Sequence, residues 1–399
     1  MDVIESIKRH DAGRDPERLR LKYKAMRNGA HAFLRGTCHL YYEHLPDAAF
    51  RLKAPPAWAC GDLHLENFGT FKGDNRLEYF DINDFDEAAL APASTDLLRL
   101  MTSALVYADE IKLRRKVTIE IVEGLVEAYA SALQIGKSRW IERETAKGRI
   151  GALLKGLRLR KRATLLDQRT RLRGKSRSIR IDGRRALVAD TKDRARVVDL
   201  MRRFAHTQDD PHFFDVVDVA RRIAGLGSLG VLRDVILIEG RGSAAGNYLL
   251  DLKQALPAVL ADRAPIRQPS WANEAARSAA IQRRMQAVSP AFLHAIASGS
   301  KSFLLRELQP TDDRLNFRTA WTGKALAATL RTLGELLAWA QLRSSGREGS
   351  CTIDALIDFG RRRDWSRQLL SLATDSASTT ESDWRTYVTA FDDGAFLVS

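Results

Sequence analysis

Cysteine is scarce in this sequence, and long apolar runs are missing. Its 399 residues include three cysteines, Cys38, Cys60 and Cys351, too few and too scattered for a disulfide framework or a CxxC metal knuckle. That usage suits a reducing compartment, and all three read as buried or inert. No stretch approaches the ~18–20 apolar residues that a membrane-spanning helix needs. The opening MDVIESIKRHDAGRDPERLR carries no apolar core of signal-peptide length. The expected location is therefore the cytoplasm, with no membrane partner. Internal repeats and low-complexity tracts are also lacking, so the chain divides only at its breakers and changes of period.

Positive charge is what the chain has in excess. The net charge is +14, within an ordinary balance of 45% hydrophobic and 29% charged residues. Such an excess attracts nucleotides, nucleic acids and acidic substrates over about a Debye length of ~8–10 Å. It is concentrated in residues 143–185, which hold 16 Lys or Arg and include RLRKR at 158–162. This block reads either as a solvated surface or as the docking face of an acidic, phosphate-rich partner.

Periodicity predicts helices within 15–50, a turn at Lys72-Gly73-Asp74-Asn75 and a strand at LEYFDI (77–82). Asp96 is expected to cap a helix, TDLLRLMTSALVYA, and a second helix covers 117–133. In the basic block SIRI and RALV flank Asp182-Gly183 and predict a hairpin. Strand texture around glycines follows from Val216 through NYLLDLKQA; then come a helix over 271–297, a strand at KSFLLREL (301–308) and a helix over 323–343. The division is 1–136, 137–215 (a basic connector), 216–310 and 311–399.

Two constellations carry candidate chemistry. In GDLHLENFG (61–69), Asp62 and Asn67 stand five apart. At that spacing one loop aims a carboxylate at a substrate hydroxyl and an amide oxygen at a hard cation. FDINDFDEA (80–88) then ends a strand in Asp84-Phe85-Asp86, which places carboxylates at its tip; Asp84 is the preferred metal ligand, with Asp86 or Asp81 as alternatives. Downstream, Gly225-Leu226-Gly227-Ser228-Leu229-Gly230 precedes the β-rich VLRDVILI, and Lys253 sits in a strand-like segment. Glycines between two strands suit a loop folded over nucleotide phosphates. A dinucleotide fold would instead open a helix there, and a Walker loop would continue Gly-Lys-Ser/Thr.

Asp-x-x-x-x-Asn followed by a strand ending Asp-Phe-Asp resembles the catalytic and metal-binding loops of aminoglycoside phosphotransferases and protein kinases. APASTDLLRL (91–100) extends the resemblance, which implies that Asp96 braces the catalytic loop. Relatives carry the glycine loop and phosphate lysine upstream of these motifs, whereas here they lie downstream. The implied fold is therefore α+β and two-lobed, protein-kinase-like and circularly permuted, with a small antiparallel β lobe and a larger helical lobe. KSFLLRELQP (301–310) resembles the strand that enters the hinge, and LGELLAWAQLRSSG (333–346) the helix before the catalytic loop, with Gln341 where relatives have His. FLRG (33–36), DVARRIAGLGSLG (218–230) and QRRMQ (282–286) also resemble a bacterial family catalogued as domain of unknown function 2252, which brings no substrate.

The resemblance implies an ATP- and Mg²⁺-dependent phosphotransferase acting on a hydroxyl-bearing substrate, with Asp62, Asn67 and Lys253 as catalytic residues. Gly225, Gly227, Ser228, Gly230 and Lys253 would bind the nucleotide, and Asn67, Asp84 and Asp86 the metal. Glu274 is the one candidate in the expected helix for the carboxylate that pairs with Lys253. Arg35 and His64 are secondary candidates for phosphate or substrate contact. Only 12 residues separate Asp84 from Asp96, little room for a peptide-binding segment, which favours a small-molecule substrate, while the basic block leaves an acidic macromolecule such as a protein substrate open. The alternatives are a catalytically silent nucleotide-binding regulator and a nucleic-acid-binding protein that uses the basic block.

Overall fold

The computed structural model describes residues 2–310, 313–317 and 321–397. Two short helices open it, α1 (Val3–Asp11) and α2 (Pro16–Met26), and each is started by an aspartate. Asp2 accepts from the Ile4 and Glu5 amides, and Asp15 from that of Arg18, which satisfies donors the first turn leaves unpaired. Next come α3 (Ala30–Gly36), α4 (Cys38–His44), strands β1 (Pro56–Ala59), β2 (Phe68–Lys72), β3 (Glu78–Ile82) and β4 (Ala89–Pro92), and two longer helices, α5 (Ser94–Glu110) and α6 (Arg115–Ile135).

The basic connector is not a free-standing piece. It supplies β5 (Ile141–Glu142), α7 (Gly148–Leu157), α8 (Arg162–Arg169), β6 (Thr170–Arg173), β7 (Ser176–Ile179), β8 (Ala186–Val188) and α9 (Thr191–Ala205). Its expected hairpin about Asp182-Gly183 does not form. β7 pairs with β6 across a Gly174 turn, whereas β8 pairs with β9 (Val216–Arg222). Asp182 accepts from the amides of Arg184, Arg185 and Ala186, which turns the chain away from β7 instead of back along it.

β8 and β9 belong to a six-stranded antiparallel sheet with β10 (Arg233–Ile238), β11 (Tyr248–Ala255), β12 (His294–Ser298) and β13 (Lys301–Glu307), in the order β12-β13-β11-β10-β9-β8. Between β11 and β12 lie α10 (Val259–Arg263) and α11 (Glu274–Met285). The latter is shorter than the 271–297 helix expected from sequence, because the chain leaves α11 to build β12. Strand alternation gives this sheet two unlike faces. Ile236, Ile238, Leu250, Leu252, Phe303 and Leu305 pack with Val197, Leu200 and Phe204 of α9. On the other face, Val235, Leu237 and Leu249 are covered by Leu166 and Ile179, while Arg222, Arg233, Asp251, Lys253 and Arg306 continue the same rows and line or border a cleft.

The last elements are β14 (Asp313–Arg314), which joins the sheet β14-β2-β3-β5, and α12 (Gly323–Ser344), α13 (Ile353–Arg361) and α14 (Asp364–Asp392). With α5, α6 and the β1-β4 pair they enclose the largest core, including Leu97, Leu125, Tyr129, Leu333, Leu337, Phe359 and Trp365. α12 lies so close to α6 that a Cβ on Gly334 would meet the Leu125 carbonyl oxygen at 2.6 Å. Beyond α12 the Cys351 amide donates to Pro56 O at 2.8 Å, and Trp58 Nε1 to Arg347 O at 3.2 Å. The end of this helix thereby runs beside β1. The architecture is mixed α+β with several antiparallel sheets, and no helix among the described residues is long and apolar enough to cross a membrane.

Candidate functional site

The loop after β1 is held at its root. Gly61 has φ +83°, and a Cβ there would collide with the Glu87 carbonyl, so only glycine fits. Asp96 does not cap α5 as expected. It lies within the first helical turn and accepts from the amides of Cys60 at 2.8 Å and Gly61 at 3.0 Å. Burial, opposed by these two N–H groups, pushes its carboxyl up to about 6. α5 thus braces the loop that bears Asp62.

One helical turn past Asp96, Arg99 reaches back to Asp62. Its Nε donates to Oδ1 at 2.8 Å, its Nη2 donates to the same oxygen, and Nη2 also donates to Leu34 O at 3.0 Å. The guanidinium is fully buried. Asp62 lines the cleft, and its Oδ2 lies 3.8 Å from His64 Nε2. Burial raises the Asp62 carboxyl, and Arg99 offsets only part of that effect. His64 is held well below its usual range by burial and then by Arg35, so it is a neutral imidazole.

Asn67 ties the two motifs together. Its Nδ2 donates to the carbonyls of Asp62 at 3.0 Å and Asp84 at 3.3 Å. Its Oδ1 is buried and has no hydrogen-bond partner among the described residues. A buried orphan acceptor is costly unless something fills it. Asp84 and Asp86 stand beside it on the loop after β3, and Lys253 Nζ lies 3.7 Å from Asp84 Oδ2 and donates to Asp86. Burial works to raise Asp84, yet Lys253, Arg306 and Arg233 outweigh it and hold the carboxyl low; Asp86 is raised by burial and by the Asp84 charge. Asp81, the third carboxylate considered, faces elsewhere and pairs with Arg343 at 3.0 Å.

The glycine loop joins antiparallel β9 and β10 and opens no helix. Gly225, Gly227 and Ser228 line the cleft with Asp62, Asn67, Asp84, Asp86 and Lys253. Gly230 does not: a side chain there would meet Arg14 and Leu19, so it serves the packing of the loop on α2 and is removed from the ligand-contacting set. Arg14 Nη1 donates to Gly227 O at 3.1 Å. Arg35 pairs with Glu66 at 2.7 Å at the cleft edge. Glu274 is likewise corrected. It pairs with Arg277 at 2.6 Å, and the carboxylates on Lys253 are those of Asp84 and Asp86. Cys38 and Cys60 line the cleft as thiols that burial pushes well up, which makes them poor nucleophiles.

Sequence reasoning missed three features. Arg99 carried a signal, a lone cation within the apolar helix LLRLM. The arginines of Asp251 are the second: Arg233 donates Nε at 2.8 Å and Nη2 at 2.6 Å to this buried carboxylate, with Arg222 at 2.6 Å and Arg306 at 3.2 Å. Burial would raise Asp251, but these guanidinium groups hold it well below the usual carboxylate range. Their signal was charge within otherwise apolar strands, as at Asp251 and Lys253, two apart in LLDLK. The third is Glu87, which accepts from the Val259 amide at 2.6 Å and is pushed up to about 7 by burial.

A family model described as an uncharacterized protein conserved in bacteria (DUF2252) matches residues 14–390. No curated protein and no solved structure matches the chain.

Proposed function

The chain belongs to this family of uncharacterized bacterial proteins, and we propose that it is an ATP- and Mg²⁺-dependent phosphotransferase, built on a circularly permuted kinase-like fold, that acts on a substrate hydroxyl. The observation that carries this reading is convergence across the chain. Lys253 and Asp84 are 253 − 84 = 169 residues apart, yet their charged ends are 3.7 Å apart, in a cleft that Asp62, Asn67 and the glycine loop also line. Phosphoryl transfer asks for this set, because it is mostly positioning and charge stabilisation. The succession of glycine-loop hairpin, lysine strand, helix and two further strands supports a kinase small lobe. The end of α12 beside β1 supports the permutation, since an unpermuted chain would be joined there.

The residues present fit a magnesium ion. Among the described residues no group of three or more His, Cys, Asp or Glu side chains could hold a metal by itself. Asn67 Oδ1 and Asp84, completed by phosphate oxygens and water, form the kind of shell Mg²⁺ takes in nucleotide sites. Bound there, the ion would neutralise charge on the phosphates. Lys253 would exchange its carboxylate partners for a phosphate oxygen. Asp62 Oδ2, left open by Arg99, would accept the proton of the attacking hydroxyl. β4 follows closely on Asp86 and leaves no long peptide-binding segment, which favours a small-molecule acceptor.

The Arg99 clamp favours a second reading, a nucleotide-binding regulator that transfers nothing, because the guanidinium occupies Oδ1 of Asp62 and takes back part of the basicity that burial gives it. Incubation with labelled ATP and Mg²⁺ separates the two. The phosphotransferase reading expects label transfer or hydrolysis that Asp62→Ala lowers by roughly 10²–10⁴-fold while nucleotide binding persists. Binding without turnover in the wild type selects the regulator, and absence of nucleotide binding removes both.

A further inference from the structure

The basic block adjoins the cleft. Arg160, Lys161 and Arg169, about α8, wall a groove of about 440 Å³ whose opposite side is Leu308, Gln309 and Pro310 after β13. Arg222 and Arg314 line both groove and cleft, so the two spaces adjoin at these side chains. Among the described residues the charge in the groove is mostly of one sign, with those five cations against the carboxylate of Asp313, which pairs with Arg160. Among the described residues no Phe, Tyr or Trp lines either space, and the rings present are the imidazoles of His10 and His64 in the cleft, so neither space provides a large aromatic face on which a base could stack.

Resting on the phosphotransferase reading, we propose that this groove carries the ligand's phosphate chain onward from Lys253, past Arg222, so that the preferred ligand is an oligophosphate longer than a triphosphate. The crowding of cations supports this. Arg222 is mostly buried, and burial together with Arg233 and Arg306 pulls its guanidinium down to about 10 despite Asp251. A polyanion in the groove relieves that repulsion, whereas an uncharged base does not. The basic block is also divided in its work. Arg162 donates to the carbonyls of Gly246 at 3.0 Å and Asn247 at 2.8 Å and lies over the Tyr248 ring, which makes it a brace. Lys161 is exposed on the groove wall and makes no side-chain cap on α8. Two ligands share the required chemistry, inorganic polyphosphate and a nucleoside tetraphosphate.

Calorimetric titration of the full chain with Mg²⁺ tests this with linear inorganic polyphosphate, adenosine tetraphosphate, ATP and orthophosphate. Charge reversal at exposed Lys161 leaves the fold intact. Lys161→Glu is expected to weaken polyphosphate by about tenfold or more, as loss of one charge-assisted hydrogen bond gives, and orthophosphate by less than about twofold. An equal loss for adenosine tetraphosphate assigns the chain to a nucleotide, and a loss for polyphosphate alone assigns it to the inorganic polymer. Polyphosphate binding no tighter than orthophosphate in the wild type, or one common factor for all four anions in the variant, overturns the subsite. Asp84→Ala is the independent arm. If it abolishes Mg²⁺-ATP binding while Lys161→Glu changes nothing, the groove proposal falls and the phosphotransferase reading stands.

Discussion

Replacing Lys253 with methionine keeps the length of the side chain and removes only its charge. In the structure that charge lies 3.7 Å from Asp84 Oδ2 and hydrogen-bonds to Asp86. Two unit charges ~4 Å apart attract by about 4 kcal/mol at the effective dielectric of a protein surface region. The side chain of Asp84 is 49% exposed and that of Asp86 30%, so solvent screening reduces the first contribution to ~1 kcal/mol or less and leaves most of the second. Stripping the cation leaves Asp86 beside a like charge, and the expected loss is ~2–4 kcal/mol at neutral pH. A cation should recover it. Mg²⁺ has to compete with the lysine ammonium for Asp84 in the wild type and meets no such competition in Lys253→Met, so it should stabilise the variant more. Urea unfolding of both proteins, with and without Mg²⁺, measures this. A variant as stable as the wild type, or an equal Mg²⁺ increment in both, would refute the placing of lysine and cation on one carboxylate site.

Asp84→Ala should weaken Mg²⁺-nucleotide binding well beyond any effect on nucleotide alone, as read by titration in the presence and absence of the ion. Glu87 has a folded-state pKa of about 7, above its ordinary 4.5; its contribution to stability is fully present below about pH 4.5 and is lost as pH rises through 7. Glu87→Gln should flatten that part of the stability profile and leave the smaller decline through about 6 that Asp96 gives. Gly334→Leu, by forcing a side chain against Leu125 O, should cost ~3 kcal/mol or more through overpacking, and thermal melting would show it.

Local motifs were the legible part of the sequence. Asp62 with Asn67, Asp84 with Asp86, and the glycines between two strands each lie within one loop, so spacing alone places their side chains together, and the structure brings them to one cleft with Lys253. Long helices such as α6 and α12 were legible because many turns repeat one apolar stripe. What could not be read was pairing. β7 turning to β6 rather than β8 depends on which edge of the sheet is open, and 271–297 splits into α11 and β12 because β13 offers β12 a partner. By pattern Asp96 looked like a cap because aspartate before an apolar helix usually is one; the amides that donate to it, those of Cys60 and Gly61, come 36 and 35 residues earlier, and only the family resemblance pointed to them. Glu274 failed as the partner of Lys253 because Arg277, one turn along the same helix, was nearer.

The intimate packing of α6 on α12 has a consequence for how the protein is made. Every residue in the cleft precedes residue 315, yet the wall behind β1 and α6 is completed by a helix that begins at Gly323. During synthesis the Asp62 loop must wait, with one flank of its apolar support uncovered, while the six-stranded sheet is made and released. Contacts that distant in sequence slow folding and lengthen exposure to aggregation. A chain cut just after β14 would hold every residue that lines the cleft and should not fold around it.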